Sequence, residues 1–324
     1  MRDIEISVER WAFQEPFVIT GHVFEHSEVL KVQIAENGAL GRGEASGVYY
    51  LGENGISMFE QASSVRQALS DGCGREELQS LLPAGGARNA IDCALWDLEA
   101  KLSGRTVWAL TGIGQKPVFT VNTVGIGTPA AMARKAQSLD TDFIKVKLDA
   151  ELPLERMQAV RSARPEAQIV VDVNQGWTYS QLVELAPRFL ELGVAMIEQP
   201  LPRGADEALE SYQPPLPLCA DESCLHSGEL EQAARRYQMI NIKLDKTGGL
   251  TEALHLAALA KERKLGLMVG NMMGTSLAMA PGLVVAQLCD FVDLDGALFL
   301  TRDREHALSY RGGRVSGLAP ALWG

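Results

Sequence analysis

The chain has 324 residues, 46% of them hydrophobic, enough for one large α/β unit with a smaller domain beside it. A net charge of −11 and the lack of any basic stripe exclude nucleic acid and acidic membrane surfaces as partners. Five cysteines, at 73, 93, 219, 224 and 289, are scattered without a CxxC pair, which argues for core thiols and against a disulfide framework or a zinc site.

In chain order, the opening MRDIEISVERW reads as a charged strand rather than a signal peptide. The segment SEVLKVQIAENGALGRGEAS reads as two strands joined by the turn signal Asn37-Gly38, an antiparallel hairpin. A long helix follows in ARNAIDCALWDLEAKLSG, where Ile91, Leu95, Leu98 and Leu102 recur at helical spacing and Gly104 supplies the stop. From about residue 117 short apolar runs alternate with amphipathic helices such as LPLERMQAVRSAR and TEALHLAALAKERK, the pattern of a parallel sheet. The apolar run Ser276 to Cys289 is broken by Pro281 and too short to span a bilayer, so a soluble, cytoplasmic protein is expected.

The strand-like runs end near residues 147, 172, 198, 221, 243, 270 and 293, at intervals of 22 to 27 residues. With an earlier run at 119–126 they make eight, the number of a TIM-type barrel; a doubly wound sheet is the alternative, but no GxGxxG follows the first strand. In a barrel the carboxyl ends of the strands converge on one mouth. Here they bring Lys145 and Lys147, Asp172, Glu198, Asp221, Lys243, Asp293 and Asp295. Lys145 and Lys147 stand two apart in FIKVKLD, so they leave one strand on the same face. Asp172, Glu198 and Asp221 come from three successive strands, and three such carboxylates side by side call for a hard divalent cation, Mg²⁺ before zinc. The five histidines (22, 26, 226, 255, 306) do not cluster. Lysines from the second and sixth runs would flank the metal from opposite sides, which suits proton transfer at carbon.

KVKLD, VVDVNQGW, MIEQPLP, ADES, NIKLDKTGGL and VDLDG, in that order and spacing, resemble the enolase superfamily, in its muconate lactonizing subgroup and nearest the dipeptide epimerases of the L-Ala-D/L-Glu type. The resemblance covers essentially the whole chain. It implies an α/β fold: a modified TIM barrel, (β/α)7β, at residues 116–305, an N-terminal α+β capping domain at 1–115, and a C-terminal segment, 306–324, returning to the cap. It further implies one Mg²⁺ per subunit on Asp172, Glu198 and Asp221, with Lys147 and Lys243 as the two acid/base lysines and Lys145 as the neighbour that keeps Lys147 reactive. The pair Asp293 and Asp295, two apart on a strand face, would hold the α-ammonium of a dipeptide substrate.

Phe24, Tyr50 and Met272 are the expected substrate contacts, with Tyr49 and Tyr50 closing over the pocket from the cap. The glycine-rich VGNMMGTS and KTGGL runs read equally as anion cradles or as plain βα turns. Relatives that accept a glutamyl side chain use an arginine in the first cap loop, whereas this chain has none between Pro16 and Val32. Phe24 with His22 and His26 stands there instead, which points to an apolar or uncharged side chain. The expected activity is Mg²⁺-dependent epimerisation at the α-carbon of the C-terminal residue of a dipeptide. Its alternatives are an N-acylamino-acid racemase, an o-succinylbenzoate synthase, and a silent barrel that binds a metal or peptide. A homo-oligomer is compatible with the sequence.

Overall fold

The computed structural model describes residues 1–324. Strands β1 (Asp3–Ile19), β2 (His22–Glu36) and β3 (Ala39–Ala45) form an antiparallel sheet in that order. Asn37 (φ 50°) and Gly38 (φ 81°) are both left-handed, as a two-residue type I′ hairpin requires. Residues 16–26, expected as part of the first cap loop, belong instead to a second hairpin, with its tip at Thr20-Gly21 and an irregularity in pairing between Ala12 and Phe17. Phe17 and Ile19 turn inward to a small cluster with Phe13 and Leu300, while the tip residues Gly21 to Val23 are exposed, so only a short stretch of alternation marks the strand.

The helix Gly86–Ser103 ends on a left-handed Gly104 (φ 65°) and packs across β3. A Cβ at Gly41 or Gly43 would collide with its backbone at Ala94 or Ala90, so glycine permits that approach. Ile91, Leu95 and Leu98 join the cap core, while Cys93 and Trp96 join the barrel core. One helix thus belongs to two cores, which is why it is buried nearly all round.

After β4 (Val118–Phe119) come eight parallel strands: β5 (Asn122–Val124), β6 (Phe143–Lys147), β7 (Gln168–Asp172), β8 (Val194–Glu198), β9 (Leu218–Ala220), β10 (Met239–Lys243), β11 (Gly266–Gly270) and β12 (Phe291–Val292). Their order in the sheet is sequential, and the Val121 N–H bonds the Val292 carbonyl at 2.9 Å, bringing the last strand back to the first. A hairpin of β13 (Ser309–Arg311) and β14 (Arg314–Ser316) pairs with β4. The last residues reach the cap side: Trp323 is wholly buried and its Nε1 donates to the Cys93 carbonyl at 2.9 Å, while Arg42 donates to the Ala321 carbonyl.

Inside the barrel, Val170, Met196, Cys219, Met239 and Met268 make a dry layer. Two residues further along four of the same strands stand Asp172, Glu198, Asp221 and Asn241, so period two sets a polar layer directly above an apolar one. No helix is long and apolar enough to cross a membrane.

Cap and barrel meet through polar groups. Arg88 donates to the Thr247 and Gly248 carbonyls at 2.7 and 3.1 Å, and Asp92 accepts from Thr251 N and Oγ1 at 3.0 and 2.6 Å. The KTGGL turn is therefore a docking point for the linker helix, with Gly249 (φ 118°) lying where a Cβ would overlap Asp92. Asp245 takes the Ser46 and Gly47 amides at 3.0 and 3.1 Å, and burial pushes its carboxyl up to about 6. The folded protein thus keeps a proton that the unfolded chain, at about 3.9, has lost. The associated stability is complete below about pH 4 and disappears as pH rises through 6, a difference on the order of 3 kcal/mol. Asp245→Asn keeps one acceptor and cannot titrate. Melting of metal-free protein should therefore fall less steeply in Asp245→Asn than in wild type between pH 4 and 7; parallel profiles would show that Asp245 is ionised throughout.

Candidate active site

The mouth of the barrel holds a cavity of about 250 Å³. From β6, Lys145 and Lys147 both point into it; from β10 comes Lys243. Since β6 and β10 are the second and sixth of eight sequential strands, these lysines face each other across the mouth. One carboxylate oxygen from each of Asp172, Glu198 and Asp221 lies within 4.8 Å of the others, and all three residues are fully buried.

The lysines pair with those acids. Lys145 Nζ lies 3.0 Å from Asp172, 2.8 Å from Glu198 and 2.8 Å from Asp293. Lys147 Nζ donates to Asp172 at 2.6 Å and to Asn174 at 3.0 Å, and Lys243 Nζ to Asp221 at 2.7 Å. Burial opposes charge on Lys145 and on Lys243, but the surrounding carboxylates outweigh it and push both ammonium groups up. Burial likewise opposes charge on Asp172, yet Lys145 and Lys147 bring it down to about 2. Asp221, between Lys243 and Lys246, is held far below the usual carboxylate range despite its burial. The resemblance implies that Lys145 keeps Lys147 reactive by standing beside it. In the structure the Lys145 ammonium sits inside a cage of three acids, where its charge is largely spent on them.

Two sequence expectations change in form. The strand β12 ends at Val292, so Asp293 and Asp295 lie just beyond it rather than on a strand face; the Asp293 amide still bonds the Val269 carbonyl of β11 at 2.8 Å, and the Leu294 amide bonds Thr120 Oγ1. Both acids still line the cavity, Asp293 toward Lys145 and Asp295 accepting from the Thr123 amide at 2.8 Å. Burial, then the neighbouring Asp293, pushes Asp295 up to about 8. Phe24, Tyr50 and Met272 line the same cavity, whereas His22 stands behind them, 4.8 Å from the Tyr49 ring. Seryl hydroxyls at 27 and 46 both reach the Met273 carbonyl, fixing the loop that carries Met272 under the cap.

Several residues of the site escape a reading by strand ends. Asn241 donates to Glu198 at 2.6 Å; Asn174 faces Lys147; Lys246, wholly buried, donates to Asp221 Oδ1 at 2.7 Å and to three carbonyls; Glu222 lies beside Asp221, where burial and that aspartate push it up to about 8. Asn241 stands two residues before Lys243 on β10, so period two could have found it, whereas Asn174 (φ 44°) lies beyond the end of β7. Glu222 and Lys246 lie beyond their strands, where no periodicity applies.

The acids fit a hard divalent cation: three converging carboxylates, no histidine or cysteine among them, and a buried Glu198 Oε2 on which no donor is aligned although Lys145 Nζ is 2.8 Å away. An eight-stranded parallel barrel with an antiparallel cap, opposed lysines and an acidic triad at its mouth defines an enolase-type barrel enzyme.

Residues 130–315 match the enolase C-terminal domain-like family, and residues 1–112 the N-terminal domain of mandelate racemase / muconate lactonizing enzyme. The L-Ala-D/L-Glu epimerase of Escherichia coli strain K12 is 44% identical over 97% of this chain and 99% of its own. The N-acetyl-D-glutamate racemase of a Pseudoalteromonas species is 45% identical over 76% of this chain and 79% of its own. A crystal structure of an enolase family member from Agrobacterium tumefaciens, with homology to dipeptide epimerases and with bound sodium and L-Ala-L-Glu, superposes with a TM-score of 0.97 at 39% identity, covering all of both chains. The chain therefore belongs to the enolase superfamily, in the dipeptide epimerase family of its mandelate racemase / muconate lactonizing branch, and is an isomerase.

Proposed function

We propose that this enzyme inverts the α-carbon of the C-terminal residue of a dipeptide, with one Mg²⁺ per subunit held by Asp172, Glu198 and Asp221. The observation that carries the reading is the pair of lysines opposed across that triad, since a change of configuration needs a base on one face of the carbon and an acid on the other. When bound, the divalent cation supplies positive charge against the negative charge that a substrate carboxylate gains as its α-proton leaves.

Lys147 takes the proton from one face and Lys243 delivers one to the other, or the reverse for the opposite isomer, so the two alternate between amine and ammonium. Asp172 and Asn174 orient Lys147; Asp221 orients Lys243. Asp293 and Asp295 pair with the free α-ammonium, and the aromatic wall of Phe24, Tyr49 and Tyr50 keeps water from the reacting carbon.

The missing cap arginine points to an uncharged side chain, whereas the similar relatives are named for glutamate. Besides the three lysines, His26 is the cationisable group lining the cavity, and a γ-carboxylate directed at the cap would meet it. On that ground the proposed substrate is of the L-Ala-L-Glu type. The five unpaired thiols accord with a reducing, cytoplasmic location. A second reading, racemisation of N-acylamino acids, has the Pseudoalteromonas relative in its favour.

Turnover of L-Ala-L-Glu, L-Ala-L-Leu and N-acetyl-L-glutamate, followed by α-deuterium uptake in D₂O, separates these readings. L-Ala-L-Glu should be the best of the three. Asp295→Asn should lower kcat/KM for the free-amine dipeptides by about 10- to 100-fold, the value of one charge-assisted contact in a buried site, and affect the N-acetyl compound much less. Preference for L-Ala-L-Leu would return the reading to an uncharged side chain; preference for N-acetyl-L-glutamate would favour the racemase.

A further inference from the structure

The three proposed metal ligands come from strands that differ in how firmly the sheet holds them. Asp172 and Glu198 are paired in the ladder, but β9 stops at Ala220 and pairs with β8 at only two positions. Asp221 thus lies beyond the last rung. Its amide is held by a side chain instead: Gln199 Oε1 accepts from Asp221 N and from Ser223 N, each at 3.0 Å. On the other end of the same amide, Nε2 donates to the Leu201 carbonyl and Ser223 Oγ, both at 2.8 Å, with Tyr237 Oη at 3.1 Å.

Gln199 is wholly buried and left-handed (φ 36°), a conformation that an unbranched L residue adopts only when its surroundings impose it. Its own backbone is fixed on both sides. Gln199 N donates to the Cys219 carbonyl at 2.9 Å, and Gln175 N, in the turn after Asp172, donates to the Gln199 carbonyl at 2.8 Å. Behind the amide, Asp206 accepts from Ser223 Oγ and Tyr237 Oη at 2.7 Å each and pairs with Arg236 at 2.5 Å, so the acceptors of Gln199 are themselves anchored. One residue therefore ties together the turns that follow all three ligand-bearing strands.

We infer that Gln199 is a positioning residue for the metal site: its side-chain amide stands in for the missing rung of the sheet and sets the Asp221 carboxylate against Glu198 and Asp172. This rests on the reading of the triad as a Mg²⁺ site.

The test is calorimetric titration of Mg²⁺ into metal-free, full-length protein. Gln199→Met keeps the length of the side chain and removes both its donor and its acceptor. Mg²⁺ should bind this variant about 10- to 100-fold more weakly than wild type, the usual effect of removing a partner that orients a ligand, and excess Mg²⁺ should restore most of kcat. A folded variant, by far-UV circular dichroism, that binds Mg²⁺ within twofold of wild type would overturn the inference and leave Gln199 a merely structural residue. Should Gln199→Met not fold, Ser223→Ala removes one acceptor of the amide. It should weaken Mg²⁺ about threefold to tenfold, on the same scale of ligand-orienting effects, and unchanged binding would again overturn the inference. Failure of wild type to bind Mg²⁺ would sink the reading of the triad, and this inference with it.

Discussion

Alanine at Lys147 or at Lys243 is expected to reduce net epimerisation by at least about 10³-fold, because each removes the proposed acid/base group on its face of the carbon. The remaining lysine should still exchange the α-proton of the isomer that faces it. Followed by proton NMR in D₂O, Lys147→Ala and Lys243→Ala should therefore wash deuterium into opposite isomers. Lys147 and Lys243 sit on strands four apart in a sheet of eight, and each is tied to a different acid of the triad. Exchange of the same isomer by both variants, or retained epimerisation in either, would mean that one lysine works alone and that the two-base reading fails for this enzyme.

The second large effect concerns the metal. Exhaustive chelation should bring turnover to background, and Mg²⁺ should restore it. Glu198→Gln should bind Mg²⁺ at least about 100-fold more weakly, since it removes one of the three carboxylate charges proposed to hold the ion. In wild type, Mg²⁺ at about 100 times its dissociation constant should raise the unfolding free energy by about 2.7 kcal/mol through binding to the folded state alone. The variant should lose all but about 0.4 kcal/mol of that increment at the same Mg²⁺ concentration. Its metal-free fold should survive, because Asn241 can still donate to the remaining carbonyl oxygen and Lys145 keeps Asp172 and Asp293 as partners. Full activity in the chelator would remove the cation from the reaction, and an unchanged Mg²⁺ response in Glu198→Gln would remove Glu198 from the site.

What was legible in the sequence was whatever repeats. The barrel strands were expected to end near 147, 172, 198, 221, 243, 270 and 293, and they end at 147, 172, 198, 220, 243, 270 and 292. Each βα unit must cross the same barrel, so strand spacing is set by a common geometry and shows through as a period. The hairpin at Asn37-Gly38 was equally plain, because its turn needs two left-handed residues and few pairs supply them. The β1–β2 hairpin tip was not, since Gly21 to Val23 are exposed and the residues flanking them pack on a small cluster of Phe13, Phe17, Ile19 and Leu300 beside the cavity.

The sequence by itself determined the barrel, the cap, the acidic triad and the two opposed lysines, since period two puts successive strand-end residues on one inner face and strand count puts β6 across from β10. Only the tertiary structure decided the rest. The cage of acids around Lys145, the contact of Lys246 with Asp221, the place of Asp293 and Asp295 beyond the end of β12, and the hold of Gln199 on the Asp221 amide join residues that lie far apart in sequence or beyond the ends of strands. There side-chain reach and buried charge choose the partner. A pattern of one residue after another records the repeat of the backbone, but not which buried amide or ammonium each carboxylate meets once the strands have closed.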